Sequence, residues 1–236
     1  MKNFSIILST VAVILAAVSL TFSLKNKGEN VDIEGALKAN PQMVVNALQA
    51  YQEIQQAEKE KAAQEAFEKY ASEINSSENA PFVGPKDAKV TVVEFFDFSC
   101  GYCQHLAPTL EKLMKDNADV KFVFKPLSFV SPISHFEAQA GLAVFKQGKF
   151  AEYYKAMMEQ KPREKSAVEE IVKNLGVDFE KFSADVESSE INDNLSEIGD
   201  LAQKANINGV PLVIVNGKPV QARDIKSFQD AINAAK

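Results

Sequence analysis

An apolar run that ends in two closely spaced cysteines constrains this chain more than any other stretch. Val90-Thr91-Val92-Val93-Glu94-Phe95-Phe96-Asp97-Phe98 reads as a buried strand. Cys100-Gly101-Tyr102-Cys103 follows, and the spaced apolar positions between Gln104 and Met114 read as a helix. Two thiols at i and i+3 on a first helical turn can close a small disulfide ring. The helix N-terminus adds unpaired N–H groups and a positive dipole end, which favour a thiolate at the first cysteine. A thiolate of low pKa is a good leaving group in thiol–disulfide exchange. The segment therefore offers a redox dithiol.

Other uses of the pair are weaker. A disulfide closing so short a loop constrains the unfolded chain little. A structural zinc site needs about four ligands, and the chain holds two cysteines and two histidines, so His105 and His135 would both be required. Two inert core cysteines at this spacing, after a strand and before a helix, would be coincidence.

Residues 4–24 carry no charge and follow Met1-Lys2-Asn3, the layout of an export signal. Ala17-Val18-Ser19 is a passable cleavage site. The run is also long enough, at about 20 residues, to span a bilayer as a retained anchor. Residues 1–24 are read first as a cleaved signal and second as an anchor; either places the body of the protein outside the cytoplasm, where disulfides persist. Removing them takes one lysine and no acid, leaving 25 basic against 32 acidic residues and a formal charge of −7. That balance opposes binding to nucleic acid.

Residues 30–75 are helical in character. Val44, Ala47, Leu48, Tyr51 and Ile54 form one apolar stripe, and Pro41 sits where a helix starts. Gln55 to Glu65 has strong helix formers and no large apolar side chain, which makes a semi-rigid spacer. Phe67, Tyr70 and Ile74 resume a stripe before the break at Ser76 to Pro81. A short helix with an unpartnered stripe is marginal in water. Self-association through residues 31–75 is the expectation, and folding back on the main domain is the alternative.

The main unit is read as residues 81–236. Asp87 to Phe98 gives the strand before the dithiol, and Val120 to Pro126 alternates as a second strand. A helical block runs from about 134 to 205, with buried faces marked by Phe136, Ala140, Leu142, Ala143, Phe145, Phe150, Tyr153, Tyr154 and Met157. Leu212 to Val215, the turn Asn216-Gly217, and Lys218 to Ala222 read as a hairpin, and Ile225 to Ala235 as a closing helix. Strand, dithiol, helix, strand, helical insert, hairpin and helix, in that order, make an α/β thioredoxin fold carrying an inserted helical domain, here preceded by an N-terminal helical oligomerisation segment.

From Pro81 onward the sequence resembles the DsbA-like family of extracytoplasmic thiol–disulfide oxidoreductases. The resemblance lies in Val93 to Cys103, the helical insert, and Gly209-Val210-Pro211-Leu212-Val213-Ile214-Val215-Asn216-Gly217. A shorter stretch, with Ala39-Asn40-Pro41 and Asn46-Ala47-Leu48-Gln49, resembles the N-terminal segment of ScsC-type proteins, oligomerising members linked to copper tolerance. The family resemblance implies that Cys100 is the exposed nucleophile and Cys103 the resolving thiol. It makes Glu94 the acid buried beneath them; a carboxylate inside an apolar run has a raised pKa and can exchange a proton with Cys103. It makes Val210-Pro211 a cis-proline loop that faces the dithiol and pairs with the substrate backbone.

His105 reads as a solvent-facing histidine, His135 has no assignment, and Lys125 is a candidate neighbour of the buried acid. The dipeptide Gly101-Tyr102 departs from the Pro-His of oxidase members and resembles isomerases and ScsC-type proteins, whereas Val210 is the oxidase-like choice before the proline. What the resemblance implies is a thiol–disulfide oxidoreductase of the periplasm or another extracytoplasmic space, tipped toward isomerase or reductase activity, with oxidase activity as the alternative. It needs no cofactor, acts on exported cysteine-containing proteins and is reset by a membrane redox partner. A Cu(I)-handling protein using the same dithiol is a further alternative.

Overall fold

Six successive buried residues, Thr91–Phe96, form the strand on which the main domain is built. They are β2 of a sheet ordered β1-β3-β2-β4-β5, with β1 Phe82–Val83, β3 Lys121–Pro126, β4 Leu212–Val215 and β5 Lys218–Pro219. β2 and β3 are parallel, Glu94 lying opposite Phe124, and the remaining pairs are antiparallel. Among the described residues the helices are α1 Ile33–Ala39, α2 Gln42–Lys69, α3 Ala71–Asn75, α4 Gly101–Asp116, α5 Ser134–Phe145, α6 Phe150–Gln160, α7 Lys165–Asn174, α8 Phe179–Val186, α9 Ser189–Lys204 and α10 Ile225–Ala235. β2, α4, β3, the helices α5 to α9, the β4–β5 hairpin and α10 follow one another as in a thioredoxin fold with a helical insertion.

This computed structural model describes residues 33–162, 164–220 and 224–236. The export signal or anchor expected at residues 1–24, and the end of the hairpin at Ala222, lie outside the described residues. Among the described residues, no helix is long and apolar enough to cross a membrane.

The chain divides into two compact units, one ending at Ala57 and one beginning at Glu58. In the first, Met43, Val44, Val45, Leu48, Tyr51 and Ile54 are all exposed on α2. In the second, Ile74 is fully buried, and Phe67 and Tyr70 pack on the same cluster as Val93, Phe95, Val123 and Ile214. The resumed stripe therefore covers one face of this chain's own sheet, and the unit holding that sheet starts well before Pro81.

Alternation along β2 sorts its side chains onto two faces. Val93 and Phe95 face the cluster just named, with Ile198 and Ala202 of α9. Val92 and Phe96 face the larger core with Phe122, Phe124, Val213, Val215 and the helices α4 to α8. Aromatic rings fill the space between sheet and insert: Tyr154 lies 4.8 Å from Phe124 and 5.5 Å from Phe96, and Phe98 lies 5.3 Å from Tyr153. Gly141 lets them close, since a Cβ there would stand 3.3 Å from Phe98 and 3.4 Å from Tyr153. The hairpin turn is made by Asn216 and Gly217, both at positive φ, as a two-residue turn of this kind requires.

β2 is shorter than the apolar run that encodes it, because Asp97 ends it. The Asp97 carboxylate is fully buried and accepts four hydrogen bonds. Oδ1 takes the Ser99 N–H at 2.9 Å and the Ser134 hydroxyl at 2.8 Å, and Oδ2 takes the N–H groups of Phe129 and Val130 at 3.1 and 3.0 Å. One side chain thus ties the turn before the dithiol to the loop that opens the helical insert. Asp97→Ala strands several buried donors and is expected to cost about 3 kcal/mol, read as a lowered urea midpoint. Asp97→Asn, which keeps one acceptor oxygen, should lose less.

Candidate active site

The turn from β2 into α4 places the two sulfurs. Cys100 is the N-cap residue of α4, in extended conformation. Its N–H donates to the Asp97 carbonyl at 3.0 Å, and its carbonyl accepts from the Gln104 N–H at 3.0 Å. The Gln104 side chain donates to the Phe98 carbonyl at 2.8 Å, and Ser99 donates through its hydroxyl to Glu137 at 2.7 Å. The approach to the first cysteine is thus fixed on both sides by buried polar bonds.

Both cysteines are free thiols, and their burial differs. Cys103 is fully enclosed, whereas Cys100 keeps 7% of its surface. That corrects the expectation of an exposed Cys100. The Val210 carbonyl lies 3.8 Å from Cys100 Sγ and accepts its hydrogen bond, so the loop ahead of β4 lies against the sulfur. The Val210–Pro211 peptide bond is cis, as the resemblance implies. Between the cysteines, Tyr102 is 72% exposed, and a Cβ at Gly101 would meet open space.

Glu94 lies on the sheet face that carries Cys103 and is itself 2% exposed. The Tyr154 hydroxyl donates to its Oε2 at 2.9 Å, while Oε1 is buried with no hydrogen-bond partner. Burial raises the Glu94 pKa to about 8, against the smaller opposing effect of the Tyr154 bond. Burial also pushes the Cys103 thiol far up, the Glu94 charge adds to this, and the Asp97 main chain acts in the other direction. Carboxyl and thiol therefore disfavour each other's ionised form and are poised to share one proton rather than lose two.

Lys125 is not part of this group. It pairs in register with Phe95, so it lies on the opposite sheet face from Glu94. There its ammonium donates to the Ser76 carbonyl at 3.0 Å, and burial brings its pKa down to about 8. His105 and His135 are exposed. Among the described residues, no set of three or more His, Cys, Asp or Glu side chains gathers as a metal site. Sequence reasoning brought Cys100, Cys103, Glu94, Val210 and Pro211 to this place but missed Tyr154 and Asp97 as polar partners. Asp97 left a signal, an acid between two phenylalanines. Tyr154 looked like one more buried aromatic.

The family model described as Thioredoxin matches residues 76–234. The chain is 29% identical to the Na(+)/H(+) antiporter NhaA 3 of Salinispora tropica over 57% of its own length, and it spans 21% of that relative. It is 32% identical to the probable disulfide bond formation protein D of Bacillus anthracis over 64% of this chain and 76% of that one. Among solved structures, a linker-deleted variant of ScsC from Proteus mirabilis shares its fold, with TM-score 0.69, 23% identity, and coverage of 89% of this chain and 98% of that one. With the cis-proline loop over Cys100 and an acid beneath Cys103, the chain belongs to the DsbA-like family of thioredoxin-fold thiol–disulfide oxidoreductases.

Proposed function

We propose that this protein is an extracytoplasmic thiol–disulfide oxidoreductase that acts on cysteines of exported proteins, with isomerase or reductase activity ahead of oxidase activity. The observation that carries the reading is the unequal burial of two free thiols at the start of α4, above a buried carboxyl. Of the two, Cys100 alone keeps some exposed surface, which makes it the sulfur a client reaches first. Cys103 is placed to resolve what Cys100 begins.

In reduction or isomerisation, the Cys100 thiolate attacks a client disulfide and one client sulfur leaves as thiolate. Cys103 then attacks Cys100 Sγ within the mixed disulfide, the second client sulfur leaves, and the Cys100–Cys103 disulfide closes. A client chain lying along Gly209–Val210 brings its own sulfur next to Cys100, because the Val210 carbonyl already stands 3.8 Å from Sγ. Exposed Tyr102, Phe129 and Val130 give the surroundings apolar surface suited to an incompletely folded chain. The spent disulfide requires an outside dithiol, for which a membrane redox partner is the natural source.

The choice of isomerase rests on the exposed row Met43, Val44, Val45, Leu48, Tyr51 and Ile54. Six large apolar side chains on one helix call for a cover, and a second copy of the same row supplies one. Such an assembly holds several dithiols around one client. The second reading, a disulfide-forming oxidase, is favoured by Val210 beside the cis-proline, the residue that the family resemblance ties to oxidases.

Two experiments test the reading. Cys103→Ser should trap a covalent mixed disulfide between Cys100 and a client, visible on non-reducing gels and by mass spectrometry, and Cys100→Ser should trap none. The full mature chain should reactivate a scrambled-disulfide substrate. Leu48→Glu with Ile54→Glu should sediment as a monomer and lose about tenfold or more of that activity. Rapid oxidation of a reduced substrate by both forms, without reactivation by either, would make the protein an oxidase.

A further inference from the structure

Thiol–disulfide exchange of the kind just proposed leaves one atom unexplained, the buried Oε1 of Glu94. A carboxylate oxygen with no partner in an apolar interior is costly. Its twin, Oε2, is held at 2.9 Å by the Tyr154 hydroxyl. Tyr154 cannot swing away, because its fully buried ring is wedged among Phe96, Phe98, Phe124 and Phe150. The bond therefore orients the carboxyl group as well as satisfying half of it.

We propose that Tyr154 is a positioning residue for Glu94: by occupying Oε2 it leaves Oε1 as the oxygen that takes the Cys103 proton and later returns it. As Cys103 resolves a mixed disulfide, its S–H proton passes to Oε1 of the ionised Glu94, its sulfur bonds to Cys100 Sγ, and the client sulfur leaves with the electron pair of the broken bond. When an outside dithiol reduces the closed disulfide, Cys103 leaves as thiolate and recovers the proton from Oε1. Tyr154 donates to Oε2 in both states, so the carboxyl does not have to rotate between them.

Among the described residues, the other charged or titratable groups near this array are few. α4 contributes Cys103 and Glu111, its N-cap contributes Cys100, and α6 contributes Tyr154. Glu111 is paired with Lys155 at 3.2 Å. The neighbouring strands place Phe124 and Val213 beside Glu94, and Lys125 is on the far face. Removing the Tyr154 hydroxyl thus takes away the one hydrogen bond that favours the Glu94 carboxylate, while phenylalanine keeps the ring packing.

The test is rapid-quench kinetics of the reduced full-length mature protein with oxidised glutathione from pH 6 to 9.5. It follows formation of the Cys100 mixed disulfide and then its resolution by Cys103. Tyr154→Phe should leave the first phase unchanged and move the pH midpoint of the second upward by about one unit. In a Glu94→Gln background, Tyr154→Phe should add no shift. An unmoved midpoint in Tyr154→Phe, or an equal shift without Glu94, would overturn the assignment. Should Tyr154→Phe fail to fold, 3-fluorotyrosine in place of Tyr154 keeps the ring, donates more strongly and should move the midpoint down; no movement overturns the assignment equally. Failure of the wild-type protein to form any mixed disulfide would overturn the proposed exchange and this role with it.

Discussion

A buried carboxyl on the sheet's central strand and a buried thiol that feels its charge set the terms for the rest of this molecule. Glu94 replaces an apolar residue in a strand whose six positions are all buried, and its charge is expensive there unless conditions change around it. What keeps the cost bearable is that the group need not be charged near neutrality, with a pKa of about 8. Cys103 is held neutral by the same burial and by the same neighbour. Each group makes the other's proton harder to lose, so once one proton has gone the pair keeps the second and can pass it between oxygen and sulfur. A dithiol whose inner member must shed a proton to react fits that arrangement.

The surrounding architecture places this pair and leaves Cys100 at the rim. Asp97 stops β2 one step after Phe96 and binds the loop at Phe129 and Val130, so the strand end, the dithiol turn and the entrance to the helical insert form one hydrogen-bonded unit. The insert delivers Tyr154 from α6 to Glu94, 60 residues away in sequence. The hairpin delivers Val210 to Cys100 across 110 residues. Three distant segments thus meet at two sulfurs, and the sheet register decides which side chains face them.

Much of this was legible in the sequence, and the reasons are physical. The thioredoxin order showed because strand, dithiol and helix are contiguous and because Asn216-Gly217 can make only a narrow set of turns. Glu94 stood out as an acid in an apolar run. Lys125 looked equally eligible for its company, yet one step of strand register puts it on the other face, beside Ser76. Register between strands separated by a helix is a tertiary property, which single-strand patterning does not carry. Tyr154 was visible as a core residue, but whether its hydroxyl meets an acid depends on how the insert docks. The stripe at Phe67, Tyr70 and Ile74 resembled the exposed one on α2, and only the fold distinguishes a stripe spent on this chain's own sheet from one left open.

The most direct measurement of the central claim is the protonation of Glu94 itself, followed through its side-chain carboxyl carbon by NMR across pH 4 to 10 in the reduced protein. The account expects a midpoint at about 8, with Cys103 still protonated at that point. A midpoint near the ordinary value of 4.5 would mean that the carboxyl is solvated and charged throughout, and it would contradict a shared proton beneath the dithiol.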